Sequence, residues 1–292
     1  MQTPTNWKDY ELLDSGDRMK LERWGQYIVA RTEPQALWPK FHDAKFWERA
    51  HAIYTRNDRG KGSWIMKQNL PERWQIEYMA FKFWVRPTDF KHTGIFPEQA
   101  VNWNWIRDVT NQADMDKKLP NQLKVLNLFG YTGGSTIFCL DSGYEVTHVD
   151  ASKGIVDWAR ENAELSGLGE RPIRWIVDDV SKFVAREERR GAKYEGIIMD
   201  PPSYGRGKKN ELWKIETMLM PLVQKCATIM SEDALFFILN SYTTGIQEYT
   251  ALNMLKSALG SRDGRFESDT LGLKPNDNGY TLPAGCVARW FR

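Results

Sequence analysis

Cysteine is scarce in this chain. Cys139, Cys226 and Cys286 are the only three, far apart and without metal-type pairing. An odd, scattered set excludes a disulfide framework and suits a reducing compartment, so a cytoplasmic protein is expected. No apolar run approaches the ~20 residues that span a bilayer, and the opening MQTPTNWKDYELLDSGDRMK has no apolar signal core. Membrane attachment is therefore not expected. The formal net charge is only +2, so bulk charge makes no case for nucleic acid, although it says nothing about local patches. Internal repeats and low-complexity segments are also missing, which excludes solenoids and arrays.

What is present is a globular balance of 41% hydrophobic and 27% charged residues, and 292 residues suffice for one large α/β domain with a smaller appendage. Tryptophan is abundant and uneven. Trp7, Trp24, Trp38, Trp47, Trp64, Trp74, Trp84, Trp103 and Trp105 all precede residue 110. They serve either as a compact core in a region with little volume to bury or as stacking surfaces for bases, and core is the favoured expectation. The pattern divides the chain into an aromatic, β-rich region over 1–115 and an α/β domain over 116–292. In the first region, runs at 52–55 and 63–66 flank the turn-forming Asn57–Gly62 and predict a hairpin. A longer apolar-rich run covers 74–85, a helix is expected over 97–109, and 111–120 reads as a polar connector. From Leu123 strands and helices alternate: strands near 124–129, 145–150, 172–177, 194–199 and 234–240, with helices near 135–141, 153–166, 180–190, 212–231 and 244–259. Two further strands are expected at 269–273 and 285–291. This rhythm predicts a parallel sheet covered on both faces.

Four features fall at the C-terminal ends of successive predicted strands, the edge where open α/β sheets bind ligands. The first is Asn127-Leu128-Phe129-Gly130-Tyr131-Thr132-Gly133-Gly134, whose glycines allow a tight turn and close backbone approach. The second is Asp150, followed by Ala151 and Ser152, where a carboxylate can accept both hydroxyls of a ribose. That acid fits a nicotinamide dinucleotide as well as S-adenosylmethionine, but the phosphate-cradling spacing G-x-G-x-x-G is absent. The third is Asp178-Asp179, able to accept an adenine amino group or to cap the following helix. The fourth is Asp200-Pro201-Pro202-Ser203-Tyr204. Two prolines after a strand make a rigid corner, and the Pro201 carbonyl is then available to an amine of a substrate.

The corner resembles the acid-Pro-Pro-aromatic signature of the class I S-adenosylmethionine-dependent methyltransferases, with Tyr204 one place later than in its shortest version. Within them the chain is similar to the bacterial 23S ribosomal RNA methyltransferases that modify guanine N2, guanine N7 or cytosine C5. Their glycine loop reads N-L-F-x-Y-T-G-G, and Asn127 to Gly134 match it. Their upstream H-K-T-G-x-F-x-D-Q-R corresponds to Lys91-His92-Thr93-Gly94-Ile95-Phe96-Pro97-Glu98-Gln99-Ala100, with the first two residues exchanged, the acid lengthened and the arginine missing. The resemblance implies a Rossmann-like sheet of seven mostly parallel strands and S-adenosyl-L-methionine as cofactor. It also implies that Thr93, Phe96 and Gln99 line the cofactor pocket, Phe129 to Gly134 hold the methionine moiety, Asp150 the ribose and Asp179 the adenine, with Asp178 able to share that role. The region over 1–115 is expected to cover the cofactor pocket and help choose the substrate.

The cytosine-C5 members need a cysteine just after the strand that here reads Phe236-Phe237-Ile238-Leu239-Asn240-Ser241-Tyr242, and none is there. Transfer to nitrogen, with no metal, is expected, Asp200, Pro201 and Pro202 holding the amine and Tyr204 stacking on the base. Arg206, Lys208 and Lys209, directly after the corner, are candidates for phosphate contacts and point to RNA, which the resemblance makes ribosomal RNA. A small-molecule or protein acceptor, and a non-catalytic RNA-binding protein keeping the fold, are the alternatives.

Overall fold

The computed structural model describes residues 1–56, 62–89, 91–119, 123–206 and 212–292. The chain divides into two compact units, Met1–Ala100 with Gly272–Ala284, and Val101–Leu271 with Gly285–Arg292.

In the first unit, β1 (Tyr10–Gly16), β2 (Met19–Trp24), β3 (Tyr27–Thr32), β4 (Ala52–Arg56) and β5 (Gly62–Met66) form a five-stranded sheet in that order. Only β3 and β4 run parallel, and the one-turn helix α1 (Ala44–Trp47) lies in the crossover between them. The expected hairpin is β4–β5, paired antiparallel; residues 57–61 of its connection lie outside the described residues. The long run at 74–85 is a hairpin instead of one stretch. β6 (Trp74–Tyr78) pairs with β7 (Phe81–Val85), with Tyr78 opposite Phe81. The chain reverses at Met79, a non-glycine residue at φ 55°, so no Gly, Asn or Pro announced the turn.

Most tryptophans are structural. Trp24, Trp47, Trp74 and Trp103 are buried, and the other five before residue 110 are half-buried. The first unit also buries charge. Glu22 accepts from Arg31 twice, at 2.7 and 2.8 Å, and from the Tyr10 hydroxyl at 2.9 Å. Burial alone would raise the Glu22 carboxyl, but Arg31 and Lys20 overcome it and bring it down to about 2. The third guanidinium nitrogen, Nη1, donates to the Lys91 carbonyl at 2.8 Å, so this pair also fixes the backbone leading into Thr93.

In the second unit, α2 (Ala100–Met115) follows a 3-10 turn at Pro97–Gln99. It runs six residues past the expected end at 109, consuming half of the expected connector. Buried Trp103, Ile106, Thr110 and Ala113 continue the helical spacing, and no Pro or Gly interrupts it. Then come β8 (Lys124–Leu128), α3 (Gly134–Asp141), β9 (Glu145–Asp150), α4 (Lys153–Leu165), β10 (Ile173–Val177), α5 (Val180–Arg189) and β11 (Gly196–Met199). A short pair, β12 (Tyr204–Arg206) and β13 (Leu212–Lys214), precedes α6 (Ile215–Thr228), β14 (Phe236–Ser241), α7 (Glu248–Leu259), β15 (Arg265–Leu273) and β16 (Leu282–Phe291). The helix expected over 212–231 thus begins only at Ile215, because Leu212–Lys214 are drawn into pairing with Tyr204–Arg206.

The seven-stranded sheet has the order β10-β9-β8-β11-β14-β16-β15. The first five strands are parallel and β16 is antiparallel to β14. The expected mostly parallel α/β sheet is therefore the observed one. Its central strands read as unbroken apolar runs because helices cover both faces: Ile197, Met199, Phe236 and Phe237 are fully buried. Among the described residues no helix is long and apolar enough to cross a membrane.

Glu22→Gln leaves Arg31 as a buried charge without its counter-ion, so stability at pH 7 is expected to fall by about 3–5 kcal/mol. The group's folded value is depressed, so its contribution is present above its unfolded value and lost as pH falls toward about 2. Denaturation at several pH values should show the gap between wild type and variant holding at neutral pH and closing below about pH 4.

Candidate active site

Adjacent strand ends bring the predicted residues together. Leu128 pairs with Val149 on one side and with Met199 on the other, and Met199 with Leu239. The loop after β8, Asp150 at the end of β9, Asp200 after β11 and Asn240 near the end of β14 therefore stand at one edge of the sheet.

The loop after β8 takes an unusual path. Phe129, Tyr131 and Gly133 have φ of 57°, 48° and 87°, all left-handed. For the two aromatics that conformation costs about 1–2 kcal/mol each. Local hydrogen bonds hold it: Gly130 N–H to the Val149 carbonyl at 3.0 Å, Tyr131 N–H to Asp150 Oδ2 at 3.2 Å, and Asn162 Nδ2 to the Thr132 carbonyl at 2.9 Å. Gly133 is the N-cap of α3, and Gly134 is its first residue. Gly130 is required for space. A Cβ there would lie 2.5 Å from Cε1 of His148.

His148 is the floor of the loop. Asn127 donates to the Thr136 hydroxyl at 3.0 Å, and that hydroxyl lies 2.9 Å from His148 Nδ1. Burial holds the imidazole neutral, down to about 3, against a smaller opposing contribution from the Tyr131 backbone. Asn127 thus turns its amide toward the loop's support, and His148 and Thr136 are site residues that the sequence reading missed.

Asp150 accepts from Ser152 N–H at 3.0 Å on Oδ1 and from Tyr131 N–H on Oδ2. Burial raises its carboxyl above the usual aspartate range, with the Ser152, Tyr131 and Ala151 backbone groups opposing. Each oxygen keeps a further lone pair, so the carboxylate can take two more donors, the number a ribose diol offers. On the neighbouring strand end, Asp178 pairs with the Arg186 guanidinium and accepts from Asp179 N–H, and Asp179 caps α5 through Lys182 N–H at 2.9 Å.

At the fourth strand end, Asp200 N–H donates to the Leu128 carbonyl at 3.3 Å, so the corner starts directly beside the glycine loop. Pro201 is buried and Pro202 exposed. Trp213, another residue the sequence reading missed, donates from Nε1 to the Pro202 carbonyl at 2.6 Å while its ring lies 5.0 Å from that of Phe129. One indole therefore ties the proline corner to the glycine loop. The Pro201 carbonyl accepts no hydrogen bond among the described residues. Tyr204 opens β12 and is 54% exposed. Arg206 ends that strand, and Lys208 and Lys209 lie outside the described residues. In the first unit, Thr93 and Gln99 are buried, Thr93 Oγ1 has no hydrogen-bond partner among the described residues, and the Phe96 ring lies 4.9 Å from His92.

The sequence pattern of the S-adenosylmethionine-dependent methyltransferases matches residues 48–229, more than half of the chain. The chain belongs to that family. A crystal structure of a SAM-dependent methyltransferase from Agrobacterium tumefaciens is 38% identical, with a TM-score of 0.91 over 99% of this chain and 92% of that one. Ribosomal RNA large subunit methyltransferase K/L of Methylococcus capsulatus is 27% identical over 177 residues, 60% of this chain and 23% of its own length. Ribosomal RNA large subunit methyltransferase I of Aeromonas salmonicida is 29% identical over 177 residues, 60% of this chain and 42% of its own length. The chain thus matches less than half the length of these curated relatives.

The residues present fit the family's cofactor, S-adenosylmethionine. Asp150 has the remaining acceptor capacity for a ribose, and the backbone of 129–134 passes too close to His148 for any side chain at 130.

Gly130→Ala is expected to lower the thermal midpoint and to weaken S-adenosylmethionine binding together, because the loop must lift off His148. Gly154→Ala, in a helix with open space around the new methyl, should do neither. Thermal melts of both variants with and without the cofactor check this; a Gly130→Ala protein that melts and binds like wild type contradicts the packing described.

Proposed function

We propose that this methyltransferase, acting in the cytoplasm, methylates a nitrogen of a base in ribosomal RNA. The observation that carries the reading is the Asp200-Pro201-Pro202 corner, fixed by Trp213 beside the glycine loop and presenting the Pro201 carbonyl. The names of the relatives above support the RNA acceptor.

When bound, S-adenosylmethionine supplies an electrophilic methyl group on a sulfonium. The chain's contribution is placement. Asp150 takes the ribose, with Asp179 or Asp178 toward the adenine. With the cofactor bound, the Asp200 carboxylate and the Pro201 carbonyl would accept the hydrogens of a base amine and orient its lone pair for transfer. Since the leaving group is already good, orientation dominates the rate. The exposed Tyr204 ring stacks on the base. Arg206, with Lys208 and Lys209, contacts phosphates.

Transfer to nitrogen, not carbon, is supported by the state of the thiol that stands across from the end of β14. Cys286 stands opposite Ser241 at the end of β14, so a cysteine absent there in sequence does approach in space. Burial pushes it up to about 11, and its Sγ donates to the Ile246 carbonyl at 3.3 Å. At neutral pH it is a thiol, whereas covalent activation of a ring carbon needs a thiolate.

Incubation with methyl-tritiated S-adenosylmethionine and protein-free ribosomal RNA should label RNA. Asp200→Ala should lower kcat about 100-fold, more than it weakens cofactor binding, and Cys286→Ser should leave the rate unchanged. Label in a protein or small molecule and none in RNA contradicts the RNA acceptor; loss of activity in Cys286→Ser contradicts nitrogen transfer.

A further inference from the structure

The buried tryptophans leave a different set of rings unexplained. In the first unit an unbroken file of aromatic contacts runs over the surface. Trp38 meets Tyr280 at 6.1 Å, Tyr280 meets Phe41 at 6.1 Å, Phe41 meets His42 at 5.1 Å, and His42 stacks on Phe46 at 3.9 Å and 18°. The file ends on a cation, the Arg49 guanidinium 4.8 Å over the Phe46 ring. Phe41 is 47% and Tyr280 49% exposed, so these two rings are held in contact outside the core, whereas Phe46 at the end of the file packs partly against it.

The arrangement is built from below. Asp14, itself 1% exposed, accepts from the backbone N–H of Phe41 at 3.3 Å and of His42 at 3.0 Å, and from Trp47 Nε1 at 2.8 Å. Trp38 donates from Nε1 to the Ser15 carbonyl at 2.9 Å, and its own carbonyl accepts from Asp17 N–H at 2.7 Å. A buried carboxylate with these donors fixes the loop that displays Phe41 and His42. Folding alone gives no reason to fix exposed rings, since their burial would stabilise more. Cations interleave with them. Lys40 lies 4.3 Å over the Trp47 ring and Lys45 is exposed, whereas Asp43 is occupied in capping Phe46 N–H at 2.9 Å. Glu48 is the other acid of the segment.

We propose that Trp38 to Arg49, with Tyr280, form a stacking platform for unpaired bases of single-stranded RNA. The proposal rests on the RNA reading above and adds a capture surface to it. Ring faces accept any base, while the interleaved cations take the phosphates between them. Flat aromatic faces spaced among cations suit nucleotides better than a peptide, which offers no row of planar rings.

The test uses the full-length chain and a fluorescein-labelled single-stranded oligouridylate, read by fluorescence anisotropy. Phe41→Ala/Tyr280→Ala should weaken binding about tenfold, and Lys45→Gln/Arg49→Gln should flatten its salt dependence. Both should keep the wild-type melting midpoint and S-adenosylmethionine affinity, which shows that they fold. Oligouridylate binding unchanged in Phe41→Ala/Tyr280→Ala, or absent in wild type, overturns the platform, as does loss in the variant of a polypeptide ligand with RNA binding intact. Methyl transfer to ribosomal RNA separates the two readings. A variant that methylates RNA like wild type and binds it equally well defeats the platform alone. A wild type that binds oligouridylate through Phe41 and Tyr280 yet labels no RNA leaves the platform standing and removes the RNA acceptor.

Discussion

The passage of the chain after β8 over the His148 ring is the contact on which the site depends. A Cβ at 130 would lie 2.5 Å from the imidazole, so Gly130 is fixed by space. On either side of it Phe129 and Tyr131 take left-handed conformations, and the Tyr131 N–H meets Asp150. The strain is offset where it arises. His148 is kept neutral by burial and lies against Thr136, which Asn127 holds; the loop is stitched to β9 by its own amides and to α4 by the Thr132 carbonyl, which accepts from Asn162. Strained backbone persists only where neighbouring structure over-determines it, and functional sites are where it collects.

The same economy appears at the neighbouring strand end. A proline corner carries few donors with which to anchor itself, so a side chain does it. Trp213 holds the Pro202 carbonyl and packs against Phe129, and the short β12–β13 pair is what delivers that indole. The Pro201 carbonyl accepts no hydrogen bond among the described residues. The first unit solves a different problem with buried charge: Glu22 and Arg31 satisfy each other and Tyr10, and the spare guanidinium nitrogen fixes the Lys91 carbonyl.

The parts of this molecule legible in the sequence are those governed by periodicity and by residues with a single conformational use. The buried strands β8, β9, β11 and β14 announce themselves as apolar runs, and the glycine loop, Asp150 and the proline corner stand at their ends as anticipated. The hidden parts are those decided by tertiary contact. The reversal between β6 and β7 falls at Met79, which has no turn chemistry, and the strands of the first fifty residues are stabilised by pairing across sequence more than by alternation. Leu212–Lys214 has helical neighbours and becomes a strand because Tyr204–Arg206 is there to pair with it. His148 reads in sequence as one more residue of a strand, and nothing local reveals that a loop will be laid upon it. Cys286 lies 45 positions from Ser241 in the chain and directly across from it in the sheet. Four of the nine tryptophans before residue 110 are buried and five half-buried, while the exposed rings of the first unit, Phe41 and Tyr280, are ones that no count singles out.

Calorimetric titration of the full chain with S-adenosylmethionine, and in parallel with NAD, tests the reading of this edge most directly. Saturable S-adenosylmethionine binding that disappears in Asp150→Ala, with no heat from NAD, is the predicted result. Absence of S-adenosylmethionine binding in wild type, or binding undiminished by Asp150→Ala, would contradict the assignment of the glycine loop and Asp150 as the cofactor site.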